Sequence, residues 1–94
     1  SNPRIHLFNK PVVSIGADAT SVDLLLNEAD ILPLHLQIRE CNGDFIAVNV
    51  TNDPFTLIND HAFGKRRLKT GDVISVGQVL ILFEALEKEP RPLE

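Results

Sequence analysis

The stretch LKTGDVISVG at residues 68–77 limits the possible folds of this chain more than any other part of the sequence. It places Gly71-Asp72 directly before a short apolar run and Gly77 directly after it, and a second run, Gln78–Phe83, follows at once. Apolar runs of about four to eight residues bounded by glycine and aspartate are typical of β-strands, because helices need longer runs. The stretch therefore predicts one strand that begins after Gly71-Asp72 and a final strand that begins after Gly77.

Turn-forming residues also separate short apolar runs along the rest of the sequence. Asn42-Gly43 separates two alternating runs, and this dipeptide favours a type I′ hairpin turn because both of its residues tolerate positive φ. The runs predicted as strands are Arg4–Phe8, Pro11–Gly16, Asp23–Leu26, His35–Glu40, Phe45–Val50 and Phe55–Ile58, besides the two already named. Only residues 19–26 and 82–88 have patterns compatible with a helix. The sequence thus predicts an all-β fold of about nine to eleven short strands, arranged as an antiparallel β-sandwich or barrel.

Composition limits the number of domains and the classes of function that are possible. Ninety-four residues suffice for one domain, which we place at residues 5–84, between a protease-cleavage remnant or linker at 1–4 and a charged, proline-containing linker at 85–94. The net charge of -4 disfavours nucleic-acid binding, and no apolar run is long enough to cross a membrane. A single cysteine, Cys41, indicates a reducing, cytoplasmic location. The absence of methionine suggests that the chain is part of a longer protein.

Few residues are candidates for chemistry. The histidines are isolated, so we expect no metal site, no cofactor and no catalytic residue. Lys65, Arg66 and Arg67 form a basic cluster that is either a solvated surface or a site for an acidic group. Leu32, Pro33 and Leu34 either pack on the core or form an exposed apolar contact for a protein.

The order of these motifs resembles that of the forkhead-associated (FHA) domain family from about Ile5 to Phe83. SIGA supplies the family's first glycine at Gly16, ILPLHLQI places His35 at the family histidine, and TLIND matches the middle of the Asn-Gly-Thr element. LKTGDVISVG at residues 68–77 matches the terminal element. The resemblance implies an FHA/SMAD-like antiparallel sandwich of about eleven strands that binds phosphothreonine peptides through loops at one end. The structural residues that it implies are Gly16, His35, Gly71, Asp72 and Gly77.

The sequence departs from the family pattern where the family binds phosphate. Ala17 replaces the arginine after the first glycine, Leu32 replaces the serine before the histidine, and Pro54 replaces the asparagine of Asn-Gly-Thr. A phosphothreonine needs cationic and hydroxyl donors, which these three residues lack. The candidate partner-binding loops contain Ala17, Leu32, Pro33, Leu34, Asn52 and Asp53, together with Lys65, Arg66 and Arg67.

The main hypothesis from the sequence is a non-catalytic, phosphate-independent protein-interaction module that serves the assembly of a larger complex. The loss of the phosphate-binding residues is similar to that in the cytoplasmic FHA domain of the type III secretion inner-membrane ring protein. The partner would then be another domain or subunit of the same assembly. The alternatives are a phosphothreonine-binding signalling domain that uses Lys65, Arg66 or Arg67 as substitute donors, and a regulatory domain fused to an enzyme.

Overall fold

The computed structural model describes residues 3–86, which form nine β-strands and no helix. The strands are β1 (Val12–Gly16), β2 (Leu24–Leu25), β3 (Leu36–Cys41), β4 (Asp44–Asn49), β5 (Leu57–Ile58), β6 (His61–Ala62), β7 (Lys65–Arg67), β8 (Val73–Val76) and β9 (Val79–Leu82). Residues 3–86 accordingly contain no helix that could span a membrane.

The strands form two sheets that pack face to face. The five-stranded sheet has the order β2-β1-β3-β4-β7, and the four-stranded sheet has the order β6-β5-β8-β9. Neighbouring strands are antiparallel except β1 and β2, which pair in parallel through Ile15–Leu24 and Gly16–Leu25. The predicted all-β sandwich is therefore confirmed, and the nine strands within the described residues match the lower end of the predicted range.

Both predicted hairpin turns are present. Asn42 and Gly43 have φ of 52° and 86°, as a type I′ turn requires, and they bring Cys41 opposite Asp44 between β3 and β4. Gly77 has φ of 57° and joins β8 to β9 with Val76 opposite Val79. Because an L-residue with a side chain is strained at such φ values, glycine fixes the point at which each chain reversal occurs.

Gly71-Asp72 leads the chain into β8, as predicted. Gly71 has φ of 99°, and the Asp72 carboxylate accepts hydrogen bonds from the Lys69 N–H at 2.7 Å and from Asn59 Nδ2 at 2.8 Å. These bonds, with the Lys69 N–H as the largest cause, lower the pKa of Asp72 below its ordinary value of 3.8. We call this part of the molecule, with Asn59, Lys69 and Asp72, the turn end.

The core lies between the two sheets. Alternate residues of each long strand point inward, as the period of two requires. The buried apolar residues are Val13, Ile15, Ile31, Leu36, Ala47, Ile58, Leu68, Ile74 and Val76. Each large apolar side chain that is fully buried contributes about 1.5–3 kcal/mol relative to exposure. The rings of Phe45 and Phe83, 5.5 Å apart, connect the two sheets at the margin of this core.

Several local predictions were wrong. Residues 4–8 form no strand; Ile5 and Leu7 are 87% and 74% exposed, so their apolar side chains have no buried surface against which to pack. Residues 19–26 are a loop and β2 rather than a helix, and residues 83–86 have no regular structure, while 87–88 lie outside the described residues. The Lys65–Arg67 segment is strand β7, because its main chain pairs with β4 although its side chains carry no apolar pattern. Strand β6, which contains His61, is absent from the predicted strands.

The proposed domain limits remain predictions. Residues 1–2 and 87–94, which belong to the predicted flanking segments, lie outside the described residues.

Candidate binding loops at one end of the sandwich

Three loops meet at the end of the sandwich where β1 and β4 finish and β3 begins. We define loop 1 as residues 17–23, loop 2 as residues 26–35 and loop 3 as residues 50–56. The register brings them together, since Ile15 in β1 and Asn49 in β4 both lie opposite Leu36 in β3. We call these three loops the loop end.

Gly16 allows loops 1 and 2 to approach each other closely. The Ala17 N–H donates to the Leu32 carbonyl at 2.9 Å, and the Asp18 N–H donates to the Pro33 carbonyl at 3.3 Å. A Cβ atom on Gly16 would lie 2.1 Å from the Pro33 carbonyl oxygen, which is far inside van der Waals contact. A glycine is therefore required here for lack of space, and the predicted structural role of Gly16 agrees with this geometry.

His35 connects loops 2 and 3 through a directed chain of hydrogen bonds. The ring is 1% exposed, and its Nδ1 accepts a bond from the Leu32 N–H at 3.1 Å, so in the neutral ring the proton lies on Nε2. Nε2 then donates to Thr56 Oγ1 at 2.7 Å, and the Thr56 hydroxyl donates to Asp53 Oδ2 at 2.7 Å. We call this chain, from Leu32 through His35 and Thr56 to Asp53, the His35 relay.

The His35 relay ends on a carboxylate with lowered basicity. The hydrogen bond from the Thr56 hydroxyl is the largest cause that lowers the pKa of Asp53 below 3.8, and the Phe55 N–H adds a further bond. Asp53 is therefore ionised at neutral pH. The relay braces two loops and holds one negative charge at the loop end.

The side chain of Asn49 positions loop 3 through hydrogen bonds to its main chain. Its side chain is almost fully buried; Nδ2 donates to the carbonyls of Asp53 at 2.9 Å and Phe63 at 3.2 Å, and Oδ1 accepts from the Asp53 N–H at 3.3 Å. Sequence analysis missed this residue. The signal available was an amide at position 49, two residues after Ala47 and hence on the inward face of the predicted strand.

Asp18 closes loop 1 on itself. Its carboxylate accepts bonds from the Ser21 hydroxyl at 2.7 Å, the Thr20 hydroxyl at 2.8 Å and the Thr20 N–H at 3.0 Å. The Ser21 hydroxyl is the largest cause that lowers the pKa of Asp18 below 3.8. A second carboxylate is therefore ionised at the loop end, and its acceptor positions are occupied within the loop.

The loop end is acidic and apolar. The three loops contain five carboxylates and no lysine or arginine; the carboxylates are Asp18, Asp23, Glu28, Asp30 and Asp53. Asp23 is neutralised by an ion pair with Lys10, which lowers its pKa below 3.8, and it also accepts a bond from the Ser14 N–H of β1. Large apolar side chains are exposed among them, with Phe55 80%, Leu32 42% and Val50 39% exposed. A shallow groove beside loop 3 is lined by Asp30, Asp53, Phe55, Gly77 and Gln78. This surface can attract cationic and apolar groups and repels anions.

The structure brings most of the predicted binding residues to this end. Leu32, Pro33 and Asn52 are exposed, whereas Ala17, Leu34 and Asp53 are half-buried. Leu32 and Pro33 therefore face solvent rather than packing on the core, and Leu34 lies partly under the surface. That they contact a protein stays a prediction. Asn52 has φ of 55°, which the short polar side chain of asparagine tolerates.

The basic cluster on β7 lies along the sheet edge. Lys65 pairs with Val48, next to Asn49, but Arg66 and Arg67 are progressively farther from the loops. Arg66 Nη1 lies 3.5 Å from Asp72 Oδ2 at the turn end, and Arg67 Nη1 lies 3.8 Å from Asp44 Oδ2. The structure therefore does not gather Arg66 and Arg67 with the loop end.

Residues 3–86 contain no group of three histidine, cysteine or acidic side chains arranged to hold a metal ion. Cys41 is exposed and free, and His61 is exposed on β6.

Comparison with known proteins identifies the architecture. The sequence model of the FHA domain matches residues 13–77. A domain solved for a structural and functional analysis of phosphothreonine-dependent FHA domain interactions is 21% identical, with a TM-score of 0.77 and coverage of 88% of both chains. The FhaA FHA domain complexed with the intracellular domain of Rv3910 is 22% identical, with a TM-score of 0.76 and coverage of 84% of this chain and 86% of that chain. The FHA domain of the CT664 protein from Chlamydia trachomatis is 18% identical, with a TM-score of 0.73 and coverage of 83% and 80%. A search of curated protein sequences finds no match.

Proposed function

This chain belongs to the FHA domain family, and from that premise we propose that it is a non-catalytic protein-interaction domain whose loop end binds its partner without a phosphate group. FHA domains are phosphothreonine-dependent interaction modules, so the binding of a protein segment at the loops is the family's general activity. The phosphate-independent mode is specific to the residues of this chain.

The charge of the loop end is the observation that carries the proposal. A phosphothreonine brings a charge of about -1.5 to -2, which must be matched by cationic and neutral donors. Four carboxylates of loops 1, 2 and 3 have no lysine or arginine partner among the described ion pairs, and Asp18 and Asp53 are held ionised by their hydrogen bonds. A phosphate placed among them would meet like charge rather than compensation.

The positions of the replaced residues support the same proposal. Ala17 has no side-chain donor, and its N–H is already bonded to the Leu32 carbonyl at 2.9 Å. Leu32 presents an exposed apolar side chain, and its N–H is bonded to His35. Pro54 lacks a backbone N–H. The backbone N–H groups at positions 17 and 32 are therefore engaged in holding the loops.

A partner that fits this surface carries both apolar and cationic side chains. Phe55 and Leu32 supply the exposed apolar area, and the surrounding carboxylates favour lysine or arginine at its rim. Since the His35 relay and Asn49 already fix loops 2 and 3, binding orders little of the backbone, which lowers its entropic cost.

The test is a pair of NMR titrations of the 94-residue chain at low salt, one with a degenerate phosphothreonine peptide pool and one with the same pool unphosphorylated. We expect the amide shifts of Ala17, Leu34 and Asn52 to be identical or absent in the two titrations. Shifts that require the phosphate would overturn the proposal. If those shifts also disappear in a Lys65→Glu/Arg67→Glu variant, the substitute-donor alternative from the sequence is supported instead.

The assembly in which such a domain would act is a further part of the proposal. We propose the cytoplasmic part of a type III secretion inner-membrane ring, on the resemblance of the lost phosphate-binding residues alone. The domain would then be cytoplasmic and would contact another domain or subunit of the ring. The full-length protein should contain a membrane helix outside this domain and sediment with isolated secretion complexes. A full-length protein that remains soluble and separates from those complexes would reject this context while leaving the binding mode open.

A further inference from the structure

The four edge strands of the sandwich are protected to different degrees. Free sheet edges promote unwanted strand pairing, and proteins usually protect them with short strands, charges or prolines. Strands β2 and β6 are two residues long, and β7 consists of three cationic residues. Strand β9, Val79–Leu82, is four residues long and entirely apolar, with neither charge nor proline. Among the described residues it is therefore the edge that lacks these protections.

The hydrogen-bond pattern shows which groups of β9 are free at the edge. The Phe83 N–H donates to the Asp72 carbonyl and the Phe83 carbonyl accepts from the Gly71 N–H, both at 2.9 Å, so the main chain of Phe83 faces β8. Main-chain groups alternate in direction along an antiparallel strand. Those of Ile81 and Val79 consequently face β8 as well, while the N–H and C=O groups of Leu80 and Leu82 point away from the sheet.

The same two residues expose their side chains. Leu80 and Leu82 are 72% and 68% exposed on the outer face of the four-stranded sheet. They lie opposite Ser75 and Val73 of β8, which are half-buried. Unpaired main-chain groups and exposed apolar side chains thus coincide on one short strand, which is the combination that a further β-strand would satisfy.

We propose that β9 pairs antiparallel with β9 of a second copy of this chain, around a two-fold axis at Ile81. In this register Leu80 lies opposite Leu82 of the second copy, and each such pair exchanges both of its main-chain hydrogen bonds. The leucines form cross-strand apolar pairs on one face, and the two four-stranded sheets become one continuous sheet.

The free edge of β9 is self-complementary, which favours β9 of a second copy as its partner. An isologous contact requires a surface that matches itself, and β9 meets its own copy without any like-charge pair. Beyond the strand ends the register sets Glu84 opposite Gln78 of the second copy, so the carboxylate meets an amide that can donate to it. The same pairing by β7 would oppose its cations to one another.

The test measures the mass of the 94-residue chain by sedimentation at concentrations up to about 1 mM, together with amide hydrogen exchange. We expect a monomer–dimer equilibrium in which the Leu80 and Leu82 amides are protected only at high concentration. The Val79 and Ile81 amides should be protected at every concentration. A chain that stays monomeric throughout would overturn the proposal. Protection of Leu80 in a monomer would also overturn it, since another segment of the same chain would then cover the edge.

Two variants locate the contact. Leu80→Lys/Leu82→Lys is expected to remain folded, because both side chains face solvent, and to lose the dimer through charge repulsion. Leu25→Lys, which changes an exposed apolar residue on edge strand β2 of the other sheet, should dimerise like the wild type. A dimer that survives the first change, or that is lost with the second, would place the contact elsewhere. If the first variant does not fold, the exchange pattern of the wild-type chain still decides.

Discussion

The loop end and the turn end are built alike but differ in what they expose. At each end an aspartate accepts a bond from a residue three positions away, Asp53 from the Thr56 hydroxyl and Asp72 from the Lys69 N–H. Each of these local turns is also tied to a distant segment, since Thr56 is bonded to His35 and Asp72 accepts from Asn59. The segment LKTGDVISVG, which runs from the turn end through β8, matches the FHA pattern throughout. The loop end keeps Gly16, His35 and Thr56 but not the donors that the resemblance implies at positions 17, 32 and 54.

This difference separates two kinds of residue in the family pattern. Residues that hold one backbone segment to another match the family pattern at both ends, and the three positions that depart from it, 17, 32 and 54, lie at the loop end. The fold tolerates these departures, because the bonds that hold the loops involve backbone groups and the retained His35 and Thr56.

Acid is expected to have the largest effect, since it removes charge at several carboxylates together. The folded-state pKa values of Asp18, Asp23, Asp53 and Asp72 are all below 3.8. Their contribution to stability is present above the unfolded value and is lost as pH falls below about 5 and through the folded pKa values. Urea unfolding between pH 7 and pH 2.5 should show a falling free energy. A constant value would contradict the bonds described at both ends.

Gly16→Ala should produce the largest effect of a single substitution. The added Cβ would meet the Pro33 carbonyl at 2.1 Å, so the loops must separate, at a cost of about 3 kcal/mol. Gly64→Ala is the matched control, because its Cβ meets no atom within 4 Å, and we expect a change within about 0.5 kcal/mol. Equal effects in chemical denaturation would remove the steric account of loop closure.

Asp72→Ala tests the turn end alone. It leaves the Lys69 N–H and the Asn59 amide without their acceptor at a buried position, and we expect a loss of about 2 kcal/mol. The amide shifts of Leu32 and Asp53 should not change, because the two ends share no hydrogen bond among those described. Asp44→Ala, at an exposed position of the β3–β4 hairpin, is the control. In Asp72→Ala, shifts that spread to the loop end would show that the ends are coupled.

Thr56→Val tests the loop end at nearly constant side-chain volume. It removes the hydroxyl between His35 and Asp53, and we expect a loss of about 1–2 kcal/mol together with a shift of the Leu32 amide, at the far end of the relay. Thr51→Val, on an exposed residue of the same loop, should leave both quantities unchanged. An unaltered Leu32 amide in the first variant would mean that the relay does not connect the loops.

Phe55→Ser should have the smallest effect on stability. The side chain is 80% exposed, so we expect a change within about 0.5 kcal/mol in thermal or chemical unfolding. A larger loss would show that the exposed residues of the loop end contribute to folding, and the distinction between the two kinds of residue would fail.

The sequence predicted those parts of the fold that local chemistry specifies. Asn42-Gly43 and Gly77 specify turns through φ alone, so both hairpins were correct. Strand β7 was missed because its pairing partner, β4, is distant in sequence and its own residues are all cationic. Residues 4–8 show the converse error: their apolar pattern suits a strand, but no neighbouring strand is available to them in the described structure.

The candidate site was predictable in position but not in its internal bonding. The resemblance placed Ala17, Leu32 and His35 at one end, and the structure does bring them together. The direction of the His35 relay could not be predicted, because His35 and Thr56 are 21 positions apart and meet only after both sheets have formed. The hydrogen bonds of Asn49 could not be predicted either, because they depend on the path of loop 3.

The bonds that hold the loop end finish mainly on backbone atoms: the Leu32 N–H, the Leu32 and Pro33 carbonyls and the Asp53 carbonyl. Backbone groups are the same whatever side chain is attached to them. Randomising the exposed positions 32 and 55 in a display library should therefore yield folded proteins with altered binding preferences, whereas randomising positions 16, 35, 49 or 56 should yield mostly unfolded ones. This domain could thus serve as a scaffold for engineered binding proteins.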